Sequence, residues 1–281
     1  MIKITRLAMR GTLLLLVAFA LRLVFAATPQ GPARPQGPAT WGNPNQPWGT
    51  RRKVTPSDRA RVASYRSGQK QPVIWTTFAN DDEVRSQWLV QTDDRSDLKS
   101  CRETANVVST DPGLKLLTLV AGHCHAQYST GALLSKAHLR YGFFEASMKI
   151  ADASGINNAF WLTTEDKFEI DIAEVHYPRD DRITLHNNNN WTPGPEHAVG
   201  FDQKFKDDLS AGYHDYGVLW TPIELIFEVD GDPVAAIVTN GSVKGDAVIR
   251  FSTALASFAG PIPANPVGHD MSVRSLKVFG L

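Results

Sequence analysis

The run Phe168-Glu169-Ile170-Asp171-Ile172-Ala173-Glu174 sets three carboxylates among apolar, β-forming residues. An unpaired charge buried in such a setting would cost several kcal/mol, so the arrangement calls for a use. Successive side chains of a strand point to opposite faces. Glu169 and Asp171 therefore share a face, while Glu174, five residues after Glu169, would point to the other. One residue absorbed as a bulge at Ile172-Ala173 returns Glu174 to the face of the other two. Two carboxyl groups flanking one bond are sufficient to hydrolyse a glycosidic linkage, one as general acid and the other as nucleophile or base. With one bulge, Glu169 and Glu174 stand about 13 Å apart between Cα atoms, at roughly 3.3 Å per strand step. Retaining glycosidases hold their carboxyl groups about 5 to 5.5 Å apart, so each glutamate must lean inward by roughly 4 Å over the shorter Asp171. The wider inverting arrangement is open on the same spacing, as is a structural alternative in which exposed acids hold calcium. In the retaining case, ionisation of one carboxyl raises the pKa of its neighbour, so the cluster keeps at least one proton near neutral pH.

The elements that must position these acids are short. Segments rich in valine, isoleucine, leucine, phenylalanine and tyrosine recur between turn residues. They predict strands over 114–120, 141–150, 159–162, 168–175, 182–187, 214–220, 224–230, 234–238, 247–253 and 272–279. Asp230-Gly231-Asp232-Pro233 reads as the turn between two of them. Many short strands with few helical segments imply an all-β fold of two packed antiparallel sheets, a sandwich or jelly roll. Residues 188–212 break the rhythm and read as a long loop. Its Asn187-Asn188-Asn189-Asn190-Trp191 run would suit sugar binding, through amides that pair with hydroxyls and an aromatic face that stacks on a pyranose. A plain surface loop is the alternative.

The chain has 281 residues, 42% of them hydrophobic, enough for a sizeable core. Its 29 lysines and arginines equal its 29 aspartates and glutamates, which argues against general attraction to nucleic acid or an anionic membrane and suits a neutral polymer. Lys3, Arg6 and Arg10 before the apolar run Thr12 to Ala20, with small residues near Ala26, read as a signal peptide over 1–26. The run is too short for a membrane anchor, so a secreted or periplasmic protein is expected. Residues 27–72, rich in proline and glycine and then in arginine and lysine, read as a disordered leader ahead of a domain over 73–281. In an exported protein Cys101 and Cys124 can form a disulfide, contributing about 3 kcal/mol in the chain-entropy model. A metal site using His123, Cys124 and His125 is the competing reading.

The acidic segment resembles the bulged signature of glycoside hydrolase family 16. Further likeness lies in Tyr128–Lys136 with Tyr141–Ala146, in Asn158-Ala159-Phe160-Trp161-Leu162, in His214–Trp220 and in Ile226–Gly231. The resemblance implies a concanavalin-like β-jelly-roll with a substrate cleft on its concave sheet. It also implies net retention, with Glu169 as nucleophile, Asp171 as assisting acid and Glu174 as general acid/base. It makes Trp161 a tryptophan that stacks near the cleaved bond and His186 a histidine on the neighbouring strand. Asn158 and Trp191 complete the expected substrate contacts, and His176, two residues after Glu174, is a further candidate for the cleft. The expected partner is a β-linked glucan or galactan. No cofactor is required and no metal ligands are assigned, although a structural calcium is compatible with the sequence. The extra residue before Glu174 separates the chain from unbulged, lichenase-type members. Transglycosylation, or binding without catalysis on the same fold, are the alternatives.

Overall fold

The computed structural model describes residues 39–281, apart from Pro112 and residues 191–196. The chain divides into two units, Met1–Gln30 and Gly31–Leu281, and every described residue belongs to the second. The signal peptide expected over 1–26 and the expected sugar contact Trp191 lie outside the described residues. No helix among the described residues is long and apolar enough to cross a membrane.

Alternation along the acidic strand, Phe168–His176, shows how the sequence makes two layers. Ile170, Ile172, Ala173 and Val175 are buried and join one core with Phe144, Val218 and Phe227 of the opposing sheet. Each large apolar side chain buried this way contributes about 1.5–3 kcal/mol. Glu169, Asp171 and Glu174 take the other face. Among the described residues the acidic strand lies within an eight-stranded antiparallel sheet. Its spatial order is Ala39–Gly42, Ala198–Lys204, Asp180–Asn187, Phe168–His176, Ile156–Thr164, Ala247–Leu255, Ala132–Ser135 and Trp88–Val90. A ten-stranded antiparallel sheet packs behind it, and a three-stranded sheet completes the set. The result is the all-β jelly-roll sandwich expected from the sequence. The Asp230-Gly231 turn forms as read: both residues have positive φ, 52° and 84°, and join Glu224–Val229 to Asp232–Val238.

Two expectations are corrected. Residues 39–66 are not a disordered leader. Ala39–Gly42 edges the eight-stranded sheet, and Gly49–Arg52 pairs with Asp232–Val238 of the other. Helix Pro56–Arg66 starts at a capping box between Thr55 and Asp58. It presses Val62 and Tyr65 onto Phe143, Leu219, Ile226, Ala236 and Phe279 on the outer face of the ten-stranded sheet. Basic residues of this stretch have acidic partners. Arg52 donates to Asp58 at 2.7 Å and to Glu224, while Arg66 bonds Glu145, and Asp215 at 2.9 Å. The bidentate Arg52 guanidinium holds the Asp58 carboxyl at about 2. Second, residues 188–212 are not one long loop, because Ala198–Lys204 is a strand pairing with Asp180–Asn187.

Cys101 and Cys124 form a disulfide across a separation of 23 residues, which removes these sulfurs from metal binding. Replacing both by serine is expected to destabilise the fold by about 3 kcal/mol, read as a lower denaturation midpoint. Because Arg102, next to Cys101, lines the cleft described below, a fall in substrate affinity should accompany the loss.

Candidate active site

The bulge falls where the residue pattern requires it. On one side Phe160 pairs with Ala173 and Trp161 with Asp171, so Ile172 is the extra residue. On the other, Asp171 pairs with Thr184 and Glu174 with Arg182. Glu169, Asp171 and Glu174 therefore stand on one wall, and all three line a cavity of about 160 Å³ together with Asn157, Trp161, Arg102, Ser252 and Phe258.

Burial dominates the electrostatics of the wall. It pushes Glu169 up to about 7, helped by the charge of Asp171 and opposed by His186. It also pushes Asp171 up to about 7, against the pull of Arg182. Glu174 rises to about 7 through burial and then Asp171, although an Asn157 hydrogen bond favours its charged form. Three such neighbours titrate as a coupled set, so ionised and protonated carboxyls coexist near neutral pH. One ionised carboxylate and one carboxylic acid in a single cleft can attack a sugar carbon and protonate a leaving oxygen.

Each acid has a partner. His186 Nε2 lies 3.1 Å from Asp171 Oδ2, and the Trp41 ring meets His186 edge-on at 5.6 Å. The Asn188 amide donates to Glu169 Oε2 at 3.3 Å. Asn157 Nδ2 donates to Glu174 Oε1 at 2.7 Å, and Asn157 Oδ1 lies 3.1 Å from His176 Nε2. With Nε2 protonated, His176 completes a chain from imidazole through amide to carboxyl. Burial holds His176 down at about 4, so its ring is neutral through this range. Arg182, over the Trp41 ring at 5.0 Å and bonded to Asp202 at 2.8 Å, supplies fixed positive charge beside the acids.

Trp161 lines the cavity. Its indole N–H donates to Ser252 Oγ at 3.1 Å, and the Arg250 guanidinium sits 4.9 Å over its ring. Asn158 does not reach the cleft. It is fully buried, accepting from Ala151 N at 2.9 Å and donating to Val175 O at 2.9 Å. The physical reason is parity: in the strand Ile156–Thr164, residues 157, 159 and 161 share the cleft face and 158 faces inward. Asn157 is thus the asparagine that lines the cavity and bonds Glu174, which the sequence reading missed, and its parity with Trp161 was the available signal. Trp41, in the proline-rich stretch, carried none. An Asn157→Ala variant removes a donor that favours the charged Glu174. The high-pH limb of activity should then move upward by about one unit or less.

Two groups among the described residues bring three ligand-type atoms within 4.8 Å: Asp94 with Cys101 and Cys124, and Glu169 with Asp171 and His186. The first has its sulfurs in the disulfide. The second is the acid cluster itself, where a cation would compete with the protons its raised carboxyls hold.

Residues 94–263 match the family description Glycosyl hydrolases family 16. The chain is 26% identical over 237 residues to the endo-1,3-1,4-beta-glycanase EglC of Rhizobium meliloti, covering 76% of this chain and 48% of that protein. It is 32% identical over 116 residues to xyloglucan endotransglucosylase/hydrolase protein 2 of Arabidopsis thaliana, covering 38% of each. The chain spans about half or less of the length of such relatives. Its fold is similar to the laminarinase catalytic domain of Thermotoga maritima, with a TM-score of 0.68 and 15% identity over 75% of this chain and 98% of that one.

Proposed function

Because the chain belongs to glycosyl hydrolase family 16, we propose that it is an endo-acting β-glucan hydrolase working with net retention. Glu169 attacks the anomeric carbon, Glu174 protonates the leaving oxygen, and a glycosyl-enzyme ester forms. Glu174 then takes a proton from water as that water opens the ester. Asp171, between them and beside His186, assists the nucleophile. The observation that carries this reading is the bulge, which brings Glu174 onto the wall of Glu169 and Asp171. Trp161 offers an aromatic surface for a pyranose beside these acids.

A β-glucan is favoured over a galactan by the names of the similar proteins, which include endo-1,3-1,4-beta-glycanases and laminarinases. The test is a panel of β-1,3-glucan, mixed-linkage glucan, agarose and carrageenan scored for new reducing ends. Cleavage of at least one β-glucan is expected, and cleavage of the galactans alone would overturn the assignment. Transglycosylation stays open as a second fate of the ester, favoured by the likeness to a xyloglucan endotransglucosylase/hydrolase. Products longer than the starting oligosaccharide would reveal it.

Export as a secreted or periplasmic enzyme fits a polymeric substrate and rests on the signal peptide read over 1–26. The chemistry needs no cofactor, since side chains carry both the covalent step and the proton transfers. A structural calcium would act on stability and not on turnover. Dialysis against EDTA is therefore expected to leave kcat unchanged for the folded protein. Loss of kcat without unfolding would contradict the mechanism.

A further inference from the structure

Behind the bulge lies an acid that the mechanism above does not use. The strand Asp180–Asn187 turns Arg182 and His186 toward the cleft, and by alternation turns Asp181, Ile183 and Leu185 into the core. Ile183 stands opposite the bulged pair Ile172-Ala173. Asp181 pairs with Val175, one position beyond the pair between Glu174 and Arg182. It is 1% exposed, and neither of its oxygens has a hydrogen bond of regular geometry among the described residues. Tyr216, from the ten-stranded sheet, is also fully buried with its hydroxyl unpaired, and of the neighbouring charges Asp181 acts on it most strongly. Burial raises the Asp181 carboxyl well above the usual range, and the backbone N–H of Glu174 is the leading influence in the opposite direction.

A lone carboxyl is a destabilising choice for a core position, where an apolar side chain of similar size would do better. Proteins keep such violations mainly where function needs them. We propose that Asp181 is a positioning residue, a buried acid behind the acidic strand whose carboxyl lies against the Glu174 backbone at the bulge and so fixes how Glu174 enters the cleft. A bulge disrupts the ladder and leaves a backbone group to be satisfied elsewhere, and Asp181 is the acid of the neighbouring strand nearest in register to Glu174. An asparagine keeps a polar group of the same shape against that backbone, whereas a leucine reproduces only the volume.

The inference rests on the proposed catalytic role of Glu174, so the experiment separates the two. Wild type, Glu169→Gln, Asp181→Asn and Asp181→Leu are assayed on β-1,3-glucan and mixed-linkage glucan for kcat and KM, with melting temperatures measured in parallel. Cleavage by wild type and its loss in Glu169→Gln establish the reading itself, independently of Asp181. Asp181→Leu is then expected to melt no lower than wild type and to lose roughly 10- to 100-fold in kcat, the scale of a small misplacement of a reacting group, with KM little changed. Asp181→Asn is expected to keep kcat within about threefold. Full kcat in the leucine variant, or an equal loss in both variants, would overturn the proposal. Should the leucine variant fail to fold, the asparagine variant decides alone: retained kcat supports the role, and a tenfold loss refutes it.

Discussion

Replacing Glu169 by glutamine is expected to lower the release of reducing ends by roughly three orders of magnitude or more, because the amide cannot form the glycosyl ester. The fold should gain stability at the same time. Burial and the charge of Asp171 raise the Glu169 carboxyl to about 7 in the folded protein, against 4.5 for the free side chain. A carboxyl raised in this way favours the native state below its unfolded pKa, and that contribution is lost as pH rises from about 4.5 through 7. Glutamine never ionises, so it avoids the loss. The variant should be more stable than wild type at pH 8 by about 1–2 kcal/mol, with the gain vanishing near pH 4. Thermal unfolding at both pH values, beside the activity assay, checks the pair of expectations. Unchanged activity would remove Glu169 from the mechanism. Restoration of turnover in Glu169→Ala by a small external nucleophile would support the role directly.

The second large effect is expected at Glu174. A general acid contributes about 10²- to 10⁴-fold, so Glu174→Gln should lose activity on polysaccharide by that factor. The loss should shrink on an aryl glycoside whose leaving group departs without a proton, since only the polysaccharide needs the acid in the first step. The pH dependence follows from the coupled set. Wild type loses activity at low pH as the nucleophile is protonated, and at high pH as the acid is deprotonated, giving a bell centred near neutrality. Glu174→Gln should keep the low-pH limb and lose the high-pH one. A variant with an intact bell would place the general acid elsewhere.

The acidic strand, its bulge and most of the long strands were legible in the sequence because alternation is a local property. Ile170 and Val175 pointing inward, with Glu169 and Asp171 outward, follows from parity alone, and the burial cost of a misplaced Glu174 locates the extra residue. What was missed depended on partners far along the chain. Arg52 reads as part of a basic arm until Glu224, 172 residues away, accepts from it. Trp41 sits in a stretch without apolar periodicity, and only its edge-strand pairing with Ala198–Lys204 brings it to His186. Asn157 was locally legible, since it shares parity with Trp161, and its hydrogen bond to Glu174 gives it a role that Asn158 cannot fill.

The central claim, covalent catalysis by Glu169 with Glu174 as its proton partner, is tested most directly by the anomer released first. Proton NMR of a β-1,3-glucan or mixed-linkage glucan digest, followed from the first minutes, should show the β-anomer of the new reducing end before mutarotation produces the α form. Appearance of the α-anomer first would mean inversion, with water attacking in a single displacement, and would contradict Glu169 as nucleophile.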